Sequence, residues 1–298
     1  ALRLVEMPSK QGSGPGRKRA IDETRGEYLA FVDSDDRLLP GALSAIREGI
    51  HDKPSDVFLL GVVENRRGSD RPLHSQHLLT QIAGKKDSCK VTDFPEMLLS
   101  PVAPWSKVYR REFLIDHGIR FPSGLHQDLP FSTEVVLKAQ RVSAVDHLCY
   151  RYIRGEPGSS STLSKGTKTL VRIAQIQRIR ECIDVHSLPQ TVKEYLVAMV
   201  AVHLIWGNRA AYRTMPEELH EQFFHDSSEE LTWWFQLAAP TKAVRSEPLM
   251  PTKEREFFTV ALLSDSYRHW QHALATHAKK LKWQRRFDPA RYRLLKSK

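Results

Sequence analysis

The run Gly26-Glu27-Tyr28-Leu29-Ala30-Phe31-Val32-Asp33-Ser34-Asp35-Asp36 constrains this chain more than any other stretch. Tyr28 to Val32 is short, apolar and rich in aromatic and branched residues, which reads as a buried strand. Three carboxylates follow it within four residues. Crowded carboxylates repel one another and are costly to bury unpaired, so something positive is expected beside them. A divalent metal with phosphate answers that need, and open α/β sheets bind ligands beyond the carboxyl ends of their strands. The plainer alternative is an acidic strand-to-helix turn in which Asp36 caps the next helix.

Just upstream lies Gly12-Ser13-Gly14-Pro15-Gly16-Arg17-Lys18-Arg19, then an amphipathic stretch to Thr24. Glycines of this kind let backbone approach a phosphate, and arginines offset its charge. Together with the acidic strand end, the segment resembles the family 2 glycosyltransferases of the GT-A fold. Their pattern is a glycine-rich loop, Ala-Arg-Asn, a helix, Gly-Glu-Tyr, an apolar strand and Asp-Ser-Asp-Asp. Gly12, Gly14, Arg17, Ile21 and Gly26 to Asp36 match it, whereas Lys18 stands where the family usually has Asn. The resemblance implies a Mn²⁺ or Mg²⁺ site at Asp33, Asp35 and Asp36. It also implies donor contacts from Gly14, Arg17, Asp33 and Ser34.

Two further motifs follow in the family's order. Ala103 to Phe113, with Trp105-Ser106-Lys107-Val108-Tyr109-Arg110 at its centre, leads through Gly118 to Gly124 to His126-Gln127-Asp128-Leu129. In the family this region ends in Glu-Asp before a helix, and the resemblance makes Asp128 the general base. Inverting sugar transfer needs such a carboxylate to deprotonate the attacking acceptor hydroxyl. Gln127 replaces the family's Glu, so the metal and the helix it starts are the charges expected near Asp128, and both favour its ionised form. The alternative is a helix cap. Tyr150 to Ser161 then resembles the Arg-x-x-x-Gly-Ser ending of the family's domain, with Arg154 and Ser159 holding the leaving diphosphate.

Between the motifs, Pro40 opens a helix that carries Leu43, Ile46 and Ile50 on one face. Val57 to Val63 reads as a second strand that closes a βαβ-like unit. Residues 65–88 are polar and aperiodic and read as a loop over the site. The opening Ala1 to Val5 looks like the third strand of the family's nucleotide-binding half, the strands before it lying outside this sequence.

At 298 residues the chain is long enough for two domains. The expected division is a partial GT-A domain over 1–164 and a helical domain over 165–298. Leu170, Ile173, Ile176, Ile179 and Ile183 fall on one helical face, and further helices read over Pro189 to Gly207, Ser228 to Leu237 and Thr252 to Lys282. Ser227-Ser228 with Glu229 and Glu230 reads as a helix start, and Trp233, Trp234 and Phe235 as packing anchors. Cys89, Cys149 and Cys182 are odd in number and widely spaced, which suits reduced thiols in a cytoplasmic setting. The longest apolar run, Tyr195 to Trp206, is about half of a membrane span.

The formal charge of +10 is concentrated near the C-terminus, where Trp283, Phe287 and Tyr292 interleave with basic residues. That mixture suits peripheral contact with an anionic membrane at its inner face, a nucleic acid, an anionic glycan, or a solvated end. No helix-turn-helix or RNA-binding signature accompanies it, so no specific nucleic acid is expected. The function expected is a metal-dependent inverting glycosyltransferase of cell-envelope polysaccharide or teichoic-acid synthesis. Its partners would be a nucleotide-sugar donor and a glycan, polyol-phosphate or lipid-linked acceptor. The rival is an impaired GT-A-like binding or scaffold protein tethered by its basic end.

Overall fold

A computed structural model describes residues 3–7, 12–73, 75–154, 168–238 and 268. Six strands form one mixed sheet among them: β1 (Tyr28–Ala30), β2 (Arg37–Leu38), β3 (Val57–Arg66), β4 (Ser69–Pro72), β5 (Lys107–Arg110) and β6 (Val142–Arg154). Their order is β1-β5-β3-β6-β2, with β4 against β3. Only β3 and β6 run parallel to each other; the remaining pairs are antiparallel.

Strand β3 organises the rest. Val57 to Val63 is apolar apart from Gly61 and buried throughout, as a strand covered on both faces must be. Successive side chains alternate between the faces. Phe58 and Leu60 join Val108, Val145 and Cys149 under helix α2 (Ala42–Asp52), which contributes Ala42 and Ile46. Val57 and Leu59 join a larger cluster on the other face. That cluster takes in α1 (Ser13–Glu23) at Ile21, α4 (Arg111–Asp116) at Phe113, and α5 (Asp128–Lys138) at Phe131. It continues without interruption into the helical half: α6 (Lys168–Cys182), α7 (Gln190–Thr214) and α8 (His220–Leu237). Ile173, Ile176 and Ile179 of α6, Leu196 of α7 and Trp234 of α8 all lie in it.

Strand β6 slips against β3 at Gly61. Leu60 pairs with Val145, Gly61 with Leu148 and Val62 with Tyr150. A Cβ on Gly61 would lie 2.4 Å from the His147 carbonyl oxygen, so only glycine fits the slip.

Several expectations need correction. The first strand stops at Ala30, and Val32 is 49% exposed, because the chain turns toward the acids immediately after it. The Gly12–Arg19 stretch is helix from Ser13 onward rather than loop. Leu43 is 68% exposed, so the inward face of α2, which starts after Gly41 in the left-handed region (φ 80°), is formed by Ala42 with the expected Ile46 and Ile50.

The expected loop over 65–88 holds β4 and α3 (Gln76–Ala83), with Leu78, Leu79 and Ile82 buried. Its hairpin turns through Arg67 and Gly68, both with positive φ, while Asn65 Oδ1 accepts from the Gly68 N–H at 3.2 Å. Residues 3–7 lie in no strand. Ser227 is buried within α8, which begins a full two turns earlier at His220, so the Ser-Ser-Glu-Glu run marks no helix start. Residues 155–167 (with Ser159), the helix expected from Thr252 and the basic C-terminal segment lie outside the described residues, save Arg268, which is helical. No described helix is long and apolar enough to cross a membrane.

Candidate active site

The acidic turn leaves β1 and gives its carboxylates different jobs. Asp36 is buried and has both oxygens engaged: Oδ2 accepts from the Tyr150 hydroxyl at 2.8 Å, and Oδ1 from the Ile153 N–H at 2.7 Å. The same Tyr150 oxygen accepts from the Asp33 N–H at 3.1 Å, and the Asp36 N–H donates to the Asp33 carbonyl at 3.1 Å. Trp105 stacks on Tyr150 with centroids 4.7 Å apart and rings 3° from parallel, which fixes the phenol. Burial pushes the Asp36 carboxyl above its usual range, the Ile153 and Tyr150 hydrogen bonds pull it back, and Asp35 and Asp33 add repulsion. The Asp36 carboxylate thus locks the turn to β6.

Asp33 accepts from the Arg17 guanidinium at 2.5 Å, while Asp35 and Ser34 are exposed. Among the described residues no group of three or more His, Cys, Asp or Glu is arranged to hold a metal ion. A Mg²⁺-type ion carried with a diphosphate needs only one or two carboxylates, because phosphate and water oxygens complete its shell. Asp35, open to solvent, with Asp33 two residues before it, fits that smaller demand. The three-carboxylate set expected from sequence does not fit, because Asp36 is turned into the protein.

The second half of the site is the loop that delivers Asp128. Gln127 is buried, and its Nε2 donates to Ser13 Oγ on α1 at 2.7 Å. Gly14 permits that approach: a Cβ there would lie 2.9 Å from both Gln127 Cγ and the Pro122 carbonyl oxygen. Gly14 therefore packs α1 against the Asp128 loop. Asp128 is the first residue of α5, with its carboxylate near the helix's free N–H groups.

Its surroundings differ from the expectation of a metal and a helix alone. Burial raises the Asp128 pKa; the guanidiniums of Arg17 and Arg172 and the N–H groups of Asp128 and Leu129 offset that rise. Lys107, fully buried on β5, is pushed down to about 7 by burial against a restoring pull from Asp128. It donates to the Pro101 carbonyl and to Ser106 Oγ at 3.2 Å. Near Arg172, His126 and His203 are driven by burial to about 4 and about 3, with Arg172 pushing both in the same direction.

Arg17 joins the two halves, since it pairs with Asp33, lies over the Phe121 ring at 5.8 Å and reaches Asp128 electrostatically. Arg154 does not stand free for a diphosphate: its guanidinium donates to Glu64 on β3 at 2.8 Å. Tyr150, Lys107, His126, Arg172 and His203 escaped assignment from sequence. Lys107, His126 and Tyr150 lie inside the motifs without a role of their own, and the 3.6-residue period of α6 placed Arg172 beside the buried Ile173.

Residues 1–118 match the family description "Glycosyl transferase family 2". The poly(ribitol-phosphate) beta-N-acetylglucosaminyltransferase TarS of Staphylococcus aureus is 28% identical over 206 residues, 65% of this chain and 34% of TarS. The uncharacterized glycosyltransferase YibD of Escherichia coli is 27% identical over 174 residues, 57% of this chain and 50% of YibD. The chain thus spans between a third and a half of the length of these relatives. Crystalline S. aureus TarS 1–349 with UDP-GlcNAc superposes with a TM-score of 0.65 at 18% identity, over 93% of this chain and 75% of that one. The fold is accordingly GT-A, followed by a helical region. The likeness to glycosyl transferase family 2 covers the N-terminal part of the chain, residues 1–118.

Proposed function

We propose that the chain transfers a sugar, with inversion, from a nucleotide-sugar to an acceptor hydroxyl. The observation that carries this reading is Arg17 spanning the exposed Asp33–Asp35 turn and the enclosed Asp128 loop. Asp35, with Asp33 beside it, would hold Mn²⁺ or Mg²⁺; when bound, that ion neutralises charge on the leaving diphosphate. Arg17 orients Asp33 and adds positive charge next to the same group. Asp128 accepts the acceptor's proton as its oxygen bonds to the anomeric carbon and the bond from that carbon to the diphosphate oxygen breaks. The protonated Asp128 then returns the proton to solvent. Tyr150 holds the turn still through Asp36 while this happens.

The donor class follows TarS, which was solved with UDP-GlcNAc, and the acceptor class is a polyol-phosphate, glycan or lipid-linked glycan of the cell envelope. We place this work in the cytoplasm, with peripheral contact at the inner face of an anionic membrane through the basic C-terminal segment. The division into 1–164 for chemistry and 165–298 for support belongs to the same reading.

Release of UDP from UDP-GlcNAc by the full chain tests it. Turnover is expected only with Mn²⁺ or Mg²⁺, and Asp35→Asn is expected to abolish it while the protein unfolds at the native temperature. Full turnover in excess chelator sinks the metal role; binding of UDP without any turnover under all metal conditions favours the scaffold reading.

A further inference from the structure

The loop that carries Asp128 is gripped from the helical half. The Ser123 carbonyl accepts from Gln175 Nε2 at 2.9 Å and from Arg178 Nη1 at 3.2 Å, both on α6. Gly124 (φ 95°) presses against the same helix, where a Cβ would meet Gln175 Nε2 at 3.3 Å and Val171 Cγ1 at 3.8 Å. His126 is held in the left-handed region (φ 56°), a conformation a non-glycine residue keeps only when its surroundings dictate it. One turn before Gln175, Arg172 donates through Nη1 to the His203 carbonyl on α7 at 3.5 Å, and its buried Nε has no hydrogen-bond partner. Among the described residues no ion pair joins Arg172 to a carboxylate, yet it lies within electrostatic reach of Asp128, His126 and His203.

We propose that Arg172 is a positioning residue of the site, through which the helical half sets a fixed positive charge behind the Asp128 loop and keeps Asp128 a carboxylate. This rests on the glycosyl-transfer reading. The groups that interact with Asp128 are Arg17 from α1, Lys107 and Tyr109 from β5, and Arg172 from α6, while the imidazoles of His126 and of His203 on α7 are set against Arg172. Arg17 already has Asp33 as its counter-ion. Lys107 spends its ammonium group on the Pro101 carbonyl and Ser106 Oγ. Both histidines, at about 4 and about 3, are neutral near pH 7. Arg172 is the remaining cation among these groups, with no carboxylate contact among the described residues and a buried Nε that lacks a hydrogen-bond partner. A guanidinium is suited to that task because it does not deprotonate.

The test reads Asp128 directly, from the carboxyl ¹³C shift of aspartate-labelled full chain across a pH titration, with Asp128→Asn identifying the resonance. Arg172→Gln is expected to raise the Asp128 pKa by about one unit, the lower end of what one nearby opposite charge supplies. Arg172→Met should do the same, and Arg172→Lys, which keeps the charge, should stay near the native value. An unshifted Asp128 in a folded Arg172→Gln or Arg172→Met overturns the proposal. So does Arg172→Lys shifting as far as Arg172→Gln, or failure of all three variants to fold, since packing rather than charge would then be what the site requires. If Asp128→Asn keeps full UDP release and transfer from UDP-GlcNAc, the glycosyl-transfer reading of Asp128 falls instead. The titration still reports on the Arg172 charge in that case, because it follows protonation and not turnover.

Discussion

The acidic turn and the Asp128 loop are both carboxylate sites beside one sheet, and they are built in opposite ways. The turn assigns its acids by hydrogen bonds to β6, leaving Asp35 in solvent and sealing Asp36 against Tyr150 and Ile153. The loop encloses one carboxylate near the cations Arg17, Lys107 and Arg172, with no ion pair to it among the described residues. An exposed acid ringed by water suits exchange of a metal-bound ligand, whereas an enclosed one suits proton transfer, where protonation must respond to small changes nearby. The contrast separates the two carboxylate roles more sharply than either motif does alone.

The largest expected effect probes the loop. Asp128→Asn should lower transfer by about 10²–10⁴-fold, the range for loss of a general base, with the affinity for UDP measured by calorimetry nearly unchanged. Loss of UDP binding with near-normal turnover would make Asp128 a helix-starting residue like many others and dissolve the contrast.

A smaller effect probes the turn. Tyr150→Phe leaves the buried Asp36 Oδ2 and the Asp33 N–H without their shared partner, which should cost about 1–3 kcal/mol of unfolding free energy in urea. Asp35→Asn, altering an exposed side chain, should leave stability within about 0.5 kcal/mol. Equal stability losses in the two variants would show that the acids of the turn are not divided as their hydrogen bonds indicate.

The smallest effect is a pH slope. His126 and His203 have folded pKa values of about 4 and about 3, below the ordinary histidine value of about 6.5. Between those limits the unfolded chain binds protons that the folded chain refuses. Stability is therefore fully present above about pH 6.5 and falls as the pH drops toward 4 and 3. Urea midpoints at pH 7 and pH 5 should show that loss, and His203→Gln should reduce it. An unchanged difference in the variant would show that His203 is not the imidazole held neutral by burial beside Arg172.

Much of this was legible in the amino-acid order because it is local. The apolar run from Val57 to Val63, the α6 stripe of Ile173, Ile176 and Ile179, and an acid at the start of α5 each announce themselves within a few residues. What stayed hidden depends on distant partners. Asp36 meets Tyr150 across 114 residues, and no spacing rule distinguishes an acid destined for a metal from one destined for a phenol. Hairpin strand β4 is exposed along its length, so it offered no alternation to detect. Gln175 and Arg178 grip Ser123 from another part of the fold, and their polar identity reads as ordinary helix surface until the two halves are seen together.

The slip at Gly61 has an evolutionary side. Upstream of it β6 is anchored by Val142 to Val57; downstream it presents Tyr150 and Ile153 to Asp36. Side chains on a strand change face with every residue, so inserting or deleting a single residue between Val142 and Tyr150 would turn the phenol to the opposite side of the sheet. Descendants of this chain can vary the identity of residues along that span far more freely than their number, and length changes should instead accumulate in surface segments such as the hairpin turn at Arg67–Gly68.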